Sequence, residues 1–218
     1  MSRKTCPGVE RDTTPASRPN ATLTSNPRDK PEARRRGRPA PGQRDLETRQ
    51  PLARRDELDR TIDQLATTCP WSGLIARLRC LHGIDTLGAF GLCAEICNFQ
   101  RFPKPATLSA YLGLVPSENT SGEKRRLGSI TKAGSTLARQ LLVEASYHYR
   151  RPPRIGGALM RRQDGAEAWI VDLSWRAQRR LHGRWQRLRT QRHKHDGIAA
   201  VAIARELSHF VWELAITE

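Results

Sequence analysis

Leu78-Arg-Cys-Leu-His-Gly83-Ile-Asp85-Thr86-Leu-Gly-Ala-Phe-Gly-Leu92-Cys-Ala-Glu95 reads as two helices joined by a tight turn. Ahead of the turn, Leu74, Ile75, Leu78 and Leu81 recur at helical spacing, and beyond Gly83 a second helix is predicted from about Thr86 to Cys97. The segment Leu78 to Leu92 has the outline of a helix-hairpin-helix, a motif whose hairpin amides and helix N-terminus hold a DNA phosphate without reading sequence. Gly83 stands where the first hairpin glycine belongs and is a candidate nucleic-acid contact. Asp85 stands where the second glycine belongs; its carboxylate would repel a phosphate, and could instead cap the helix beginning at Thr86. Structural packing is the competing reading of this turn.

Working outward, the pattern stays helical. Leu58, Ile62 and Leu65 share one face of a predicted helix over 56–66, and Leu108, Tyr111 and Leu112 mark a short helix after Pro103 and Pro105. Ser135 is placed to cap a helix running to about Tyr149. A long basic helix with Trp169, Leu173, Leu181, Trp185 and Leu188 as its stripe follows Pro152 and Pro153, and a last one uses Ile198, Val201, Ala202, Phe210, Val211 and Leu214. Strand signals are weak throughout, so the expected fold is mainly α. Residues 1–55 hold eight of the fourteen prolines and 14 Lys+Arg against 6 Asp+Glu. Such a segment buries too little apolar surface to offset its ordering entropy. The expected organisation is therefore a disordered basic tail over 1–55 and a helical domain over 56–218. Within the tail, Arg36-Gly37-Arg38-Pro39 is either a minor-groove hook or, the favoured reading, a solvated charge run.

Between the short helix and Ser135 lies Tyr111-Leu-Gly113-Leu-Val-Pro-Ser117-Glu118-Asn-Thr-Ser121-Gly122-Glu123-Lys124-Arg125-Arg126-Leu-Gly-Ser129-Ile-Thr-Lys132-Ala-Gly134. It has no period, and its Gly, Ser, Pro and Lys content is that of a functional loop. Ser121 is the candidate nucleophile. Gly122 lets a backbone come close to a phosphate. Lys124, Arg125, Arg126, Lys132 and Arg139 are candidate nucleic-acid contacts, cations placed to offset charge developing on phosphorus oxygens. A serine needs a base or a metal to become nucleophilic, and the loop offers only Glu118 and Glu123, with no histidine. A structural turn serine is the alternative, and Ser117 and Ser129 are weaker candidates.

These stretches, with Arg101-Phe102 and Leu141 to Ala145, resemble the C-terminal domain of the insertion-sequence 110/116/902 family transposases, relatives of the pilin-gene invertases. The best match spans 74–149. The resemblance implies DNA transposition or site-specific recombination, with a serine at Ser121 that attacks the DNA backbone and holds it covalently. It implies DNA as partner, a structured guide RNA, and Mg²⁺ held by an Asp-Glu-Asp-Asp set on an N-terminal RuvC-like domain. That domain is not recognisable in this sequence. Asp56, Asp59 and Asp63 lie on one helix face among arginines and read as surface ion pairing, so the tetrad is carried over to no residue here. The chain alone is expected to be inactive, with a RuvC-like domain supplied in trans or by self-association. The alternative is a truncated remnant that only binds nucleic acid, DNA or guide RNA.

A formal net charge of +16 and a sequence pI near 10.9 favour a polyanionic partner. The run from Arg150 to Lys194 carries 13 Lys+Arg and 3 Asp+Glu. Its arginines read as nucleic-acid contacts, and Trp175 and Trp185 as core rather than stacking platforms. Five cysteines lack a disulfide framework, and Cys93 and Cys97, at helical spacing, lack two further ligands, so no metal site or resident cofactor is assigned. His193 and His195 read as a polar connection. No signal peptide is recognised, and the longest apolar run, Ile198 to Ala204, is too short for a bilayer, so a cytoplasmic protein working on DNA is expected.

Overall fold

A computed structural model describes residues 41–118 and 127–217. The order of elements is α1 (Pro41–Thr68), α2 (Ser72–Leu78), α3 (Thr86–Ile96), α4 (Pro105–Tyr111), β1 (Pro116–Glu118), β2 (Leu127–Ile130), α5 (Thr136–Ser146), α6 (Gly157–Gln163), α7 (Ala168–Gln186) and α8 (Asp196–Ile216). A 3₁₀ turn, Tyr147–Arg150, prolongs α5, and a wide π turn, Arg187–Gln191, ends α7. The mainly α expectation holds, with one two-stranded antiparallel sheet among the described residues.

Local chemistry sets the helix starts. The Asp85 carboxylate accepts the Gly88 amide at 2.8 Å, which makes it the cap of α3. Ser135 does the same for α5, accepting the Ala138 amide at 3.1 Å. Pro105 occupies the first turn of α4, where its missing N–H costs nothing.

Most of the apolar side chains of α8 are spent on the core. α8 packs against α2, α4, α5 and α7. Ala199, Ala200 and Ala204 are wholly buried and let neighbouring helices come close, while Ile203, Leu207, Val211 and Leu214 fill the space between them. Burying each such large side chain contributes about 1.5–3 kcal/mol. Along α8 polar groups caught inside find partners: the Ser109 and Ser208 hydroxyls lie 2.8 Å apart between α4 and α8, and the Trp212 indole donates to the Phe102 carbonyl at 2.9 Å. At the other end, Ser174 Oγ and Gln163 Nε2 both donate to the Cys80 carbonyl, at 2.6 and 3.0 Å, tying α6 and α7 to the end of α2.

Three departures from the expected elements have physical reasons. The helix predicted from Asp56 begins at Pro41 and runs through Pro51, so the expected tail boundary at residue 55 falls inside a helix. The good helix formers around Pro51 tolerate the loss of one backbone donor. Leu52, Leu58 and Leu65 remain 46%, 52% and 48% exposed, and Ala66 near the helix end is where α1 meets the core. The long basic helix is two helices, because Asp164 and Gly165, the latter at φ 72°, turn the chain between α6 and α7. The aperiodic loop holds a β-hairpin.

Candidate nucleic-acid interface

The hairpin is built from its base upward. β1 and β2 pair antiparallel with Pro116 opposite Ile130 and Glu118 opposite Leu127, a register that shifts by one residue between the two pairs. Ser117 Oγ donates across to the Ser129 carbonyl at 3.0 Å, and a side chain at Gly128 would meet that oxygen at 2.4 Å. Below the strands, the Thr131 amide donates to the Val115 carbonyl at 2.9 Å and the Lys132 amide to the Gly113 carbonyl at 3.1 Å.

Two glycines close the base. Gly113 and Gly134 sit at φ 67° and 71°, a region L side chains rarely enter. A Cβ on Gly113 would lie 2.3 Å from the Ala133 backbone, and one on Gly134 would lie 2.0 Å from the Tyr111 carbonyl oxygen. The arms approach too closely for anything larger. Arg139, from the first turns of α5, reaches into the junction. Its Nη1 donates to the Leu112 carbonyl at 3.1 Å and the Ala133 carbonyl at 2.9 Å, and its Nη2 to Thr136 Oγ1 at 3.3 Å. One guanidinium nitrogen thus bridges both arms, while the second ties the group to Thr136.

Of the residues singled out from sequence, Ser121, Gly122, Lys124, Arg125 and Arg126 lie outside the described residues, in the stretch joining β1 to β2. Lys132 lies at the hairpin base, exposed, with φ 56°. Arg139 also lies at the base, its guanidinium spent on backbone carbonyls as above. Gly83 is some distance along the chain, in the turn between α2 and α3 at φ 87°. A Cβ there would lie 2.6 Å from the Ala145 carbonyl and 3.1 Å from the His148 ring, so the lack of a side chain lets α5 pack against the turn. The side chain of Ser117 is committed across the strands.

The basic run divides. α7 buries Leu173, Ala177, Leu181 and Trp185 and turns its arginines to the other side. Several of these are not free. Arg180 and Arg184 both pair with Glu206 of α8, the latter at 3.0 Å, and Glu206 is 7% exposed. Arg176 pairs with Glu213, and Arg189 and Arg150 with Asp196. The tryptophans divide too: Trp185 is core, as its spacing predicts, whereas Trp175 is 38% exposed beside Arg179 in an open groove of about 810 Å³ between α7 and α8. On α1, Arg55 lies 3.3 Å from Asp56 and 4.0 Å from Asp59, the surface pairing read from the spacing. Cys93 is buried, its thiol pushed up to about 12 by burial and then by Cys69. His195 caps α8, its Nδ1 accepting the Gly197 amide at 3.2 Å. Among the described residues no three His, Cys, Asp or Glu side chains gather as metal ligands, and no helix is long and apolar enough to cross a membrane.

The segment from α2 to just beyond the 3₁₀ turn, with the hairpin at its centre, defines the class. Residues 75–155 match the Transposase IS116/IS110/IS902 family, and the chain carries a domain of that family. It is 35% identical over 164 residues to a putative transposase, y4qE, of Sinorhizobium fredii, covering 75% of this chain and 42% of that protein. It is 28% identical to a probable family 20 transposase of Pseudomonas aeruginosa, covering 66% of this chain and 36% of the relative. It is 33% identical over 70 residues to the transposase for insertion sequence element IS1111A of Coxiella burnetii, covering 32% and 19%. The chain therefore spans less than half the length of each of these relatives.

Proposed function

We propose that this chain supplies the DNA-contacting C-terminal part of a transposase, with Ser121 as the attacking nucleophile. The observation that carries the reading is the hairpin base. Two glycines in left-handed conformation and one guanidinium fix both arms where the family match is centred. The eight residues joining the strands, 119–126, carry Ser121, Gly122, Lys124, Arg125 and Arg126. A stiff base delivering a short polar connection suits a group that must meet one phosphorus atom. In the step proposed, Ser121 Oγ bonds to phosphorus and a deoxyribose oxygen leaves. The serine proton passes in net terms to the departing oxygen, giving a serine-linked phosphodiester and a free hydroxyl. The cations stabilise the charge on the phosphorus oxygens.

Mg²⁺ belongs to this chemistry by family resemblance. The described residues here do not fit it, since they bring no carboxylate set together. The ion would be held by a RuvC-like domain outside them. Self-association is supported by the exposed leucines of α1, and DNA, with a guide RNA, by the excess of +16.

A nicked suicide DNA substrate, incubated with the chain, Mg²⁺ and a complementing RuvC-like domain, should trap a covalent adduct. Ser121→Ala should abolish the adduct and leave salt-dependent DNA binding nearly intact. An adduct that survives in Ser121→Ala would move the nucleophile elsewhere. Salt-dependent binding with no adduct under any complementation would leave the binding-only reading in its place.

A further inference from the structure

A second cationic feature lies away from the hairpin. An open pocket of about 600 Å³ is formed where the α2–α3 turn, the 3₁₀ turn after α5 and α6 meet. Arg79, Arg161 and Arg162 line it, with His82 and His148. Asp85 is the carboxylate among the lining residues, and its oxygen is already bonded to the Gly88 amide. None of the three arginines forms an ion pair with any described residue. This contrasts with α7, where Arg176, Arg180 and Arg184 find carboxylates on α8.

The arrangement costs energy as it stands. Arg162 donates to the Ile84 carbonyl, and its Nε is buried with no acceptor; the Arg79 Nε is buried and unpartnered as well. Burial works against the Arg162 cation; Asp85 is the strongest charge acting on it and supports it, and the neighbouring Arg79 adds a weaker like-charge repulsion. Three guanidiniums at a concave, half-dry site, against the single carboxylate of Asp85 and with no ion pair formed to it, leave an excess of positive charge that favours an anion. Planar forks match tetrahedral oxyanions well, through paired N–H donors. His82 and His148 meet edge to face, ring centroids 5.4 Å apart, and wall the pocket beside the cations.

We propose that this pocket holds a backbone phosphate of the bound nucleic acid, through Arg79, Arg161 and Arg162 rather than through the glycine of the turn. Gly83 is turned to a different task, the close packing of α5. The contact would be blind to sequence and would anchor the helical body while the hairpin tip addresses the reacting strand. The inference rests on the nucleic-acid binding proposed above, and is independent of Ser121.

The test uses the full chain, a 30-base-pair DNA duplex and an RNA hairpin of matched length, with affinity read by fluorescence anisotropy over a range of salt. Arg79→Gln with Arg161→Gln removes two cations and spares Arg162, whose bond to Ile84 holds the turn. Arg54→Gln with Arg60→Gln on exposed α1 removes the same charge elsewhere. Losing one phosphate contact should lower the log–log salt slope by about 1 and the affinity by about tenfold at 0.1 M salt. We expect that loss in the pocket variant and a clearly smaller one in the α1 variant, and the substrate that shows it, DNA or RNA, identifies the strand. Equal losses in the two variants, or an unchanged slope in the pocket variant on both substrates, overturn the proposal. Arg161→Gln alone, at an exposed side chain, serves if the double variant fails to fold, with half or more of the same effect required. A wild-type chain that binds neither nucleic acid refutes the functional reading itself, an outcome distinct from the failure of the pocket.

Discussion

Arg139→Met should loosen the hairpin base while leaving the core intact. The side chain of Arg139 is half-buried and bridges the Leu112 and Ala133 carbonyls at 3.1 and 2.9 Å, with a longer bond to Thr136 Oγ1 at 3.3 Å. A hydrogen bond from an ionised donor contributes about 1.5–3 kcal/mol when buried. Water can replace part of that at a half-exposed site, so about 1 kcal/mol for each carbonyl bond is appropriate, and roughly 2 kcal/mol in all. Methionine keeps the unbranched stem and its packing, so the loss belongs to the guanidinium. For an ordered region of this size the melting temperature should fall by about 4–8 °C. Urea unfolding followed by far-ultraviolet circular dichroism measures it, with the midpoint moving and the m-value unchanged. Arg139→Lys should recover at most half, because the lysine side chain ends one atom short of Nη1 and has no second nitrogen to hold Thr136 Oγ1. A destabilisation below about 0.5 kcal/mol, or full recovery by lysine, would refute the assignment of Arg139 as the bridge between the arms.

Two glycines should respond in opposite directions to the same substitution. Gly134→Ala adds left-handed strain and a Cβ 2.0 Å from the Tyr111 carbonyl, and should cost about 3 kcal/mol. Gly183→Ala places a methyl inside α7 with nothing within 4 Å, and should stabilise by about 0.5–1 kcal/mol; thermal melts of the two variants decide both. Stability should also depend on acid in a defined window. Burial, then His148, Arg162 and Arg151, lower His82 from its ordinary 6.5 to about 4. The unfolded chain takes up that proton first, so stability from this group is complete above pH 6.5 and declines as pH falls towards 4. Urea midpoints at pH 7 and pH 5 in wild type and His82→Gln should show a smaller difference in the variant, and an identical difference in both would remove His82 as a contributor.

What could be read in the sequence was what acts over a few residues. Asp85 and Ser135 cap helices because a side-chain oxygen need only reach an amide three residues on. α3 and α8 fall within a residue or two of the expected bounds, and α2 begins where expected but ends at Leu78, short of Leu81, the last residue of its stripe. The β-hairpin was hidden because strands of three and four residues rich in Pro, Ser and Gly carry no alternation of apolar and polar positions. Gly113 and Gly134 at the two ends of that stretch were the available signal. The part played by Arg139 was hidden for another reason: its partner carbonyl at Leu112 is 27 residues away. The exposure of Leu58 and Leu65 was equally invisible, since a helical stripe says that a face exists and nothing of what covers it.

Charge is where distance in sequence misleads most. The run from Arg150 to Lys194 reads as one cationic surface, with an excess of ten. In the fold, five of its arginines, at positions 150, 176, 180, 184 and 189, share three carboxylates of α8, Asp196, Glu206 and Glu213. The separations between helix partners, 26 residues for Arg180 with Glu206 and 37 for Arg176 with Glu213, put these pairs beyond any local pattern. Glu206 is largely buried, so removing it would leave two partly exposed guanidiniums on α7 without their shared carboxylate. These arginines therefore act first as mortar between α7 and α8. A cation already matched to a buried carboxylate releases no counterion when a phosphate approaches unless that match is broken. The nucleic-acid affinity proposed above would then come from cations left unmatched. Among the described residues these include Arg79, Arg161 and Arg162 around their pocket and Arg179 beside Trp175, and no local pattern sets these four apart from the basic run or from the α2 stripe.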